Sequence, residues 1–444
     1  MEDLFGIPFL ALDMDAKGQA PERAQAAAAL SLPEITDLIV ISHGWNNDMA
    51  EARQLYAALF ANLAPMLTKV GSTRKFAALG VLWPSKRFAE EDLIPGGKAT
   101  PAATAALAAQ APSSAEIAAK IDGLATYVGK LGSDDAERAK VLVTRLEDSR
   151  KARKDFVSCI RAMLTQPPSD IRDDASDRFF VGDADRLMEG LSNPVTPPAG
   201  TPCGAAGGIA RIKEAVPTSG HGGAVSFSDV LTGMKAAAFR LLNYATYYEM
   251  KERAGTVGKG LNAVLAEIRR GHPQVAIHLV GHSFGARVVT AAADGPDAFR
   301  PRSLTLLQAA FSHNGFSAKF DGSHDGFFRK IVSDRKIDGP IVITHTIYDK
   351  AVGVAYPLAS RLSGDNRSAF GDRDDPFGGL GRNGAVRLSE AEVANGDLLP
   401  ETGRYAFDRK VHNLRADAFI SDHSAVTGPE VANALAQAIG TSAA

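Results

Sequence analysis

Short runs of aliphatic and β-branched residues punctuate the chain at positions 7–12, 38–42, 76–83, 275–280, 303–309 and 341–348. Most are apolar at consecutive positions and do not alternate. That is the pattern of strands buried on both faces, as in a parallel sheet. Helical patterns lie between several of them. After the second run, Asp48 and Glu51 have capping-box spacing, and Leu55, Leu59 and Leu63 repeat every four residues. Leu241, Leu261, Val264 and Ile268 mark further helix within 236–269. Near the C-terminus, Pro429 stands in a first turn, and Val431, Leu435 and Ile439 define an inward face. Strand alternating with helix predicts an α/β fold, a mostly parallel sheet with helices on both faces. No internal repeat is present.

Residues 94–235 break this rhythm. Their entry, 94–114, is rich in Ala, Pro, Gly and Thr, and their exit, 193–223, returns to Pro and Gly. Between the two, Ile117, Ile121, Leu124 and Val128 recur at helical spacing, as do Phe156, Ile160 and Leu164. Arg145, Glu147, Asp148 and Arg150 suit an outer face. The expected organisation is a core made from 1–93 and 236–444, interrupted by a mainly helical insertion, 94–235, with flexible flanks. Residues 360–404 form a second loop-rich region, with Gly378, Gly379, Gly381 and Gly384 near its middle.

Composition narrows the function classes. The chain has 444 residues, 45% apolar and 23% charged, with a formal net charge of -2 and no long run of one sign. Nucleic acid and anionic membrane surfaces are not expected partners. Two cysteines, Cys159 and Cys203, make neither a disulfide framework nor a metal spacing. The N-terminal stretch has Glu2 and Asp3 where an export signal needs positive charge, and it reads as a strand. No apolar stretch approaches bilayer-spanning length. The expected location is cytoplasmic, although export without a cleaved signal leaves no trace of this kind.

The strongest chemical signal is Gly281-His282-Ser283-Phe284-Gly285. G-x-S-x-G by itself is weak, so its flanks decide. The apolar run 275–280 leads straight into it as a strand, and 286–293 follows as a good helix. A strand-to-helix turn puts Ser283 at a sharp, strained apex. Residues two places away must lack bulk there, and both are glycine. A serine hydroxyl is a poor nucleophile at neutral pH. It needs a general base, which in turn needs an orienting acid.

Here the chain resembles the α/β-hydrolase superfamily, whose triad runs Ser, then Asp or Glu, then His in chain order. The resemblance covers roughly 35–90 and 235–440 and is similar to an uncharacterised bacterial branch of serine esterase-, lipase- or peptidase-like chains. It implies an acid after a later strand. Asp349, which closes the run 341–348, takes that place, with Asp325, Asp334 and Asp338 as fallbacks. It implies a base in a loop before the last helix. His423, in Ser421-Asp422-His423-Ser424, fits, and His412 is the runner-up. Asp422 is a poor acid for its own neighbour, because adjacent side chains rarely point in line. The oxyanion hole is expected from the N–H of Phe284 and from the His43-Gly44-Trp45-Asn46-Asn47 loop. In that loop Gly44 lets the backbone bend toward the site, and the Trp45 N–H is the donor.

The resemblance implies a helical cap over the site and a reaction that needs no cofactor or metal. The expected activity is hydrolysis of a carboxylic ester, or a related acyl bond of a small-molecule substrate, through an acyl-enzyme. Alternatives are a membrane-acting lipid hydrolase, a serine peptidase, and a non-catalytic binding protein on the same scaffold. Membrane contact is not favoured. The oligomeric state is not legible. Gly96-Gly97-Lys98 lacks phosphate-loop spacing, and His345 with Asp349 lacks a third metal ligand.

Overall fold

A computed structural model describes residues 2–21, 35–44, 49–70, 73–85, 112–165, 176–192, 232–296, 299–349, 351–352, 373 and 377–441. The strands are β1 (Glu2–Leu4), β2 (Ile7–Asp13), β3 (Asp37–Ser42), β4 (Phe76–Leu82), β5 (Ala276–His282), β6 (Ser303–Leu307), β7 (Ile341–His345), β8 (Val393–Asp397) and β9 (Val411–Arg415). They form one sheet of nine strands in the order β1-β2-β4-β3-β5-β6-β7-β9-β8. Only β1 runs antiparallel to its neighbour. The helices are α1 (Met49–Leu67), α2 (Ser114–Tyr127), α3 (Asp134–Leu142), α4 (Arg150–Met163), α5 (Ser176–Val181), α6 (Ala184–Leu191), α7 (Met234–Gly271), α8 (Phe284–Asp294), α9 (Arg329–Ser333), α10 (Leu380–Asn383) and α11 (Pro429–Thr441). The expected α/β class and mostly parallel sheet are therefore present.

All six residues of β3 and all five of β6 are buried, so neither face of the central sheet meets solvent. One face carries Ile39, Ile41, Val280, Leu307 and Val342. It packs with Tyr56, Phe60 and Leu63 of α1 and with Val431, Leu435 and Ile439 of α11. The residues of β5 that alternate with Val280, Ile277 and Leu279, are equally buried but lie outside that cluster. α8 packs against β5, β3 and β6, and α7 lies on α8 through Gly258. A Cβ at Gly258 would come within 2.4 Å of the Val288 carbonyl oxygen. Each fully buried aliphatic side chain of this core contributes about 1.5–3 kcal/mol relative to exposure.

Two compact units divide the chain. The first comprises Met1–Lys86, Met250–Val352 and Gly379–Ala444, and holds the whole sheet. The second comprises Arg87–Glu249 and Gly353–Gly378. The second has its own core, in which Ile117, Ile121 and Leu124 of α2, Phe156 and Ile160 of α4, and Leu187 and Leu191 of α6 pack together. Serine caps start its helices. Ser113 accepts from the Glu116 N–H at 3.2 Å while Glu116 accepts from the Ser113 N–H at 2.7 Å, and the Ser133 and Ser149 side chains cap α3 and α4 by accepting from the Ala136 and Ala152 N–H groups. α7 begins in this unit and ends in the first, because its residues 234–249 carry Leu241, Tyr244 and Tyr248 into the second core.

Register brings the carboxyl ends of the central strands to one edge. Ser42 pairs with Gly281, His282 with Leu307, Leu307 with Thr344, and His345 with Arg415. The chain leaves β3 toward β4 on one side and returns as β5 on the other. That reversal is the switch point where open α/β sheets leave a crevice for ligands.

Candidate active site

Ser283 follows β5 directly and sits at φ 56°, ψ −124°. A side-chain-bearing residue reaches that conformation only at a cost of about 1–3 kcal/mol, which its surroundings must offset. Three backbone hydrogen bonds supply the support. The Ser283 N–H donates to the Leu307 carbonyl at 3.0 Å, and the Ser283 carbonyl accepts from Ala286 and Ala310, both at 3.1 Å. Gln308, just beyond β6, is also held at positive φ (45°). It is pinned by its side-chain bonds to Thr344 at 2.7 Å and to the Gly381 carbonyl at 3.1 Å.

The glycines around the apex are required by close approach. A Cβ at Gly281 would lie 2.5 Å from the Ala286 nitrogen, and one at Gly285 would lie 2.2 Å from the Ser42 carbonyl oxygen. Ser283 stands at the N-cap of α8, yet its hydroxyl caps no helix N–H. It is committed elsewhere.

Its partner is the imidazole of His423. Ser283 Oγ and His423 Nε2 are 2.8 Å apart, and His423 Nδ1 and Asp349 Oδ2 are 2.9 Å apart. A carboxylate can only accept, so the proton sits on Nδ1 and Nε2 is left to receive the serine proton. Asp349 is fully buried, Ser283 is 4% exposed, and the His423 side chain is 18% exposed. Burial disfavours protonation of His423, but the Asp349 carboxylate beside it, helped by Asp422, outweighs this. The imidazole pKa is raised above its usual value.

The supports of Asp349 and His423 come from elements near them. Asp349 Oδ1 accepts from the Val352 N–H at 2.9 Å, closing the turn after β7. Asp417 accepts from Thr346 Oγ1 at 2.8 Å and from the Ile347 N–H at 3.1 Å, so it ties that turn to the segment leading to His423. Asp422 accepts from the Ser424 N–H at 2.8 Å and shapes the loop that carries His423.

Gly44 meets this site from β3. A Cβ there would lie 2.5 Å from Ser283 Cβ and 3.1 Å from its Oγ. Its carbonyl is engaged by His43 Nδ1 at 2.9 Å, while His43 Nε2 accepts from the Trp83 N–H at 3.2 Å. The His43 ring stacks on Trp83 at 5.6 Å and is fully buried. Burial holds it neutral, with its pKa down to about 4. Phe284 opens α8 next to Ser283, and Trp45 lies outside the described residues.

The structure thus brings Ser283, Asp349, His423, Gly44 and Phe284 to one edge of the sheet. The fallback residues are engaged elsewhere. Asp325 accepts from Lys319, Asp334 from Ser333, and Asp338 lies 3.7 Å from Arg302. His412 bonds to the Arg409 carbonyl. Among the described residues, no group of three or more His, Cys, Asp or Glu is placed to hold a metal ion, and no helix is long and apolar enough to cross a membrane.

Sequence reasoning did not find Gln308, Asp417 or His282 as parts of this site. Gln308 and Asp417 carry no motif. His282 was visible only as the variable position of G-x-S-x-G, yet its Nε2 lies 2.8 Å from the His423 carbonyl oxygen. Compared with protein-family models, with curated proteins and with solved structures, the chain matches none.

Proposed function

We propose that this protein is a serine hydrolase of the α/β-hydrolase type that cleaves a carboxylic ester, or a related acyl bond, in two steps. Ser283 attacks the carbonyl carbon while His423 Nε2 takes the hydroxyl proton. Asp349 holds the tautomer and stabilises the imidazolium. His423 then returns the proton to the leaving group, and the acyl-enzyme forms. Water, deprotonated by the same imidazole, releases the acid and restores Ser283. The N–H groups of Phe284 and Trp45 are assigned to the oxyanion, where losing one donor costs about 2.7–4 kcal/mol.

One observation carries this reading. A serine at a strained apex donates to an imidazole at 2.8 Å whose other nitrogen donates to a buried carboxylate at 2.9 Å. The chain order Ser, Asp, His and the position at the carboxyl edge of β5 support it. The preference for esters rests on analogy with this scaffold. The second compact unit is proposed as the substrate-selecting cap.

A fluorophosphonate probe, which labels activated serines, tests the reading. Wild type should become labelled, and Ser283→Ala should not. If neither reacts, the scaffold is a binding protein. Short-chain esters, micellar lipids and peptides, each assayed against both proteins, then divide the substrate classes.

A further inference from the structure

The residue before the proposed nucleophile has an unusual hydrogen-bond inventory. His282 ends β5 and is buried. Its Nε2 faces the backbone carbonyl oxygen of His423 at 2.8 Å. A carbonyl only accepts, so Nε2 carries the proton and Nδ1 carries a lone pair. That Nδ1 is buried with no partner. Burial pushes the pKa of His282 down to about 3, with His423 as a second cause, so the ring stays neutral. The two imidazoles lie with centroids 5.0 Å apart.

The topology of this contact sets it apart from an ordinary core bond. His282 is covalently joined to Ser283, and the acceptor is the base's own carbonyl. The path from Ser283 Oγ to the His423 ring, through the His423 backbone to its carbonyl, across to His282 and back along the peptide bond is a closed ring with two hydrogen bonds. His423 lies eight residues beyond the end of β9, on a loop. The Asp417 contacts hold the segment before it and Asp349 holds its ring, while the His282 bond fixes the backbone of His423 itself to the residue joined to the serine. An apolar side chain at 282 would avoid burying an unpaired nitrogen, but it would forfeit the donor.

Building on the hydrolase reading above, we propose that His282 is a positioning residue for the general base. Its Nε2–H holds the His423 carbonyl and thereby keeps the imidazole between Ser283 and Asp349 through both proton transfers. It does this as a neutral ring, so no second positive charge adjoins the imidazolium that forms on His423. The tether matters because a displacement of about 1 Å at a reacting group can slow a reaction about a hundred-fold.

The test compares His282→Leu, which removes the donor, with His282→Gln, whose amide nitrogen reaches as far as Nε2, and His282→Asn, whose amide falls short. Labelling rate constants for the fluorophosphonate are measured from about pH 5 to about pH 9, where the imidazole titrates. The downfield proton resonance of the His423 Nδ1–H is recorded alongside. The expected result is labelling slowed about a hundred-fold in His282→Leu, with the apparent pKa moved down and the resonance broadened, and recovery to within about tenfold of wild type in His282→Gln.

Leu and wild type labelling alike with one pH profile, or Gln as slow as Leu, overturns the proposal. If the Leu variant does not fold, Gln against Asn decides, with Gln faster upholding the tether and equal rates refuting it. Wild type that resists the probe would sink the hydrolase reading instead. The resonance then decides the tether by itself: its loss in the Leu or Asn variant with retention in Gln upholds the tether, and any other pattern refutes it.

Discussion

The sheet carries two Ser–His–Asp constellations, one at each end of its central strands. At the carboxyl edge stand Ser283, His423 and Asp349. At the amino edge, His278 Nδ1 is 2.8 Å from Ser303 Oγ, and His278 Nε2 is 3.0 Å from Asp37 Oδ1. Connectivity and distances are nearly the same, and the proton can run from serine to imidazole to carboxylate in both. Three physical differences separate them. Ser303 lies within regular strand β6, whereas Ser283 is held at positive φ on an apex. His278 is fully buried, whereas His423 is partly exposed. Asp37 is already neutralised by Arg74, which donates to both of its oxygens, and it also accepts from Thr36 at 2.6 Å.

The imidazoles respond in opposite directions. Burial pulls the His278 pKa down, Asp37 opposes this, and the Arg74 charge adds to the fall. At His423, burial is outweighed by Asp349. The carboxylate of Asp37 is held well below its ordinary range, since bonds to His278 and Arg74 overcome the cost of its burial. The comparison teaches that residue types and distances alone do not define a nucleophile. Access, backbone geometry and an uncompensated carboxylate set the proposed one apart. The amino-edge set reads as a buried polar clasp joining β3, β5 and β6.

Substitutions can break this comparison. Ser283→Ala should abolish fluorophosphonate labelling outright while melting like wild type, whereas Ser303→Ala should label at the wild-type rate. Mass spectrometry of the labelled chains checks both. Asp349→Asn should slow labelling about 10³–10⁴-fold, since the amide favours the wrong tautomer. Stopped-flow kinetics measures this.

Asp37→Ala leaves the half-buried Arg74 and the buried His278 without their shared carboxylate and should destabilise by about 3–5 kcal/mol in urea unfolding, with labelling per folded molecule unchanged. Labelling lost in a folded Asp37→Ala protein would refute the assignment of roles. Ser303→Ala orphans one buried nitrogen and should cost about 1–3 kcal/mol.

The pH dependence sharpens the contrast. His423 must be neutral to accept the serine proton, so labelling should fall as pH drops through an apparent pKa above about 6.5. In Asp349→Asn that pKa should move down, because burial is then opposed only by the weaker effect of Asp422. For stability the signs oppose one another. The raised pKa of His423 contributes stability that is full below about pH 6.5 and lost as pH rises through its folded value. The depressed pKa of His278 contributes stability present above about pH 6.5 and lost as pH falls toward its folded value. Comparing unfolding of wild type with His423→Gln and with His278→Gln across pH separates the two. A His278→Gln variant whose stability falls with pH as steeply as wild type would remove the clasp from this account.

Much of the sheet was legible because buried parallel strands leave continuous apolar runs. β8, with sequence Val-Ala-Asn-Gly-Asp and an exposed end, has no such run and owes its pairing to β9. β9 stops at Arg415, because 416–420 turn to carry Asp417 back onto Thr346, and no apolar pattern marks that end. Asp48, and with it the capping-box reading at α1, lies outside the described residues. The predicted insertion edge near 235 falls inside α7. A helix crossing from one core to the other leaves no break in its apolar pattern.

By itself the sequence determined the α/β class, the strand-to-helix turn that strains Ser283, and the glycines that let three backbones meet there. The turn and its glycines are local properties, written in residues within a few positions of one another, and the class follows from the alternation of such local patterns along the chain. The tertiary structure decided, among the candidates the sequence offered, that His423 bonds to that serine and Asp349 to His423, and which serine sits sealed in a clasp. It also placed the His282 ring against the His423 carbonyl. Those outcomes depend on register and burial between residues as far as 241 positions apart, and hydrogen-bond geometry at that range is set by the packed sheet and not by any spacing along the chain.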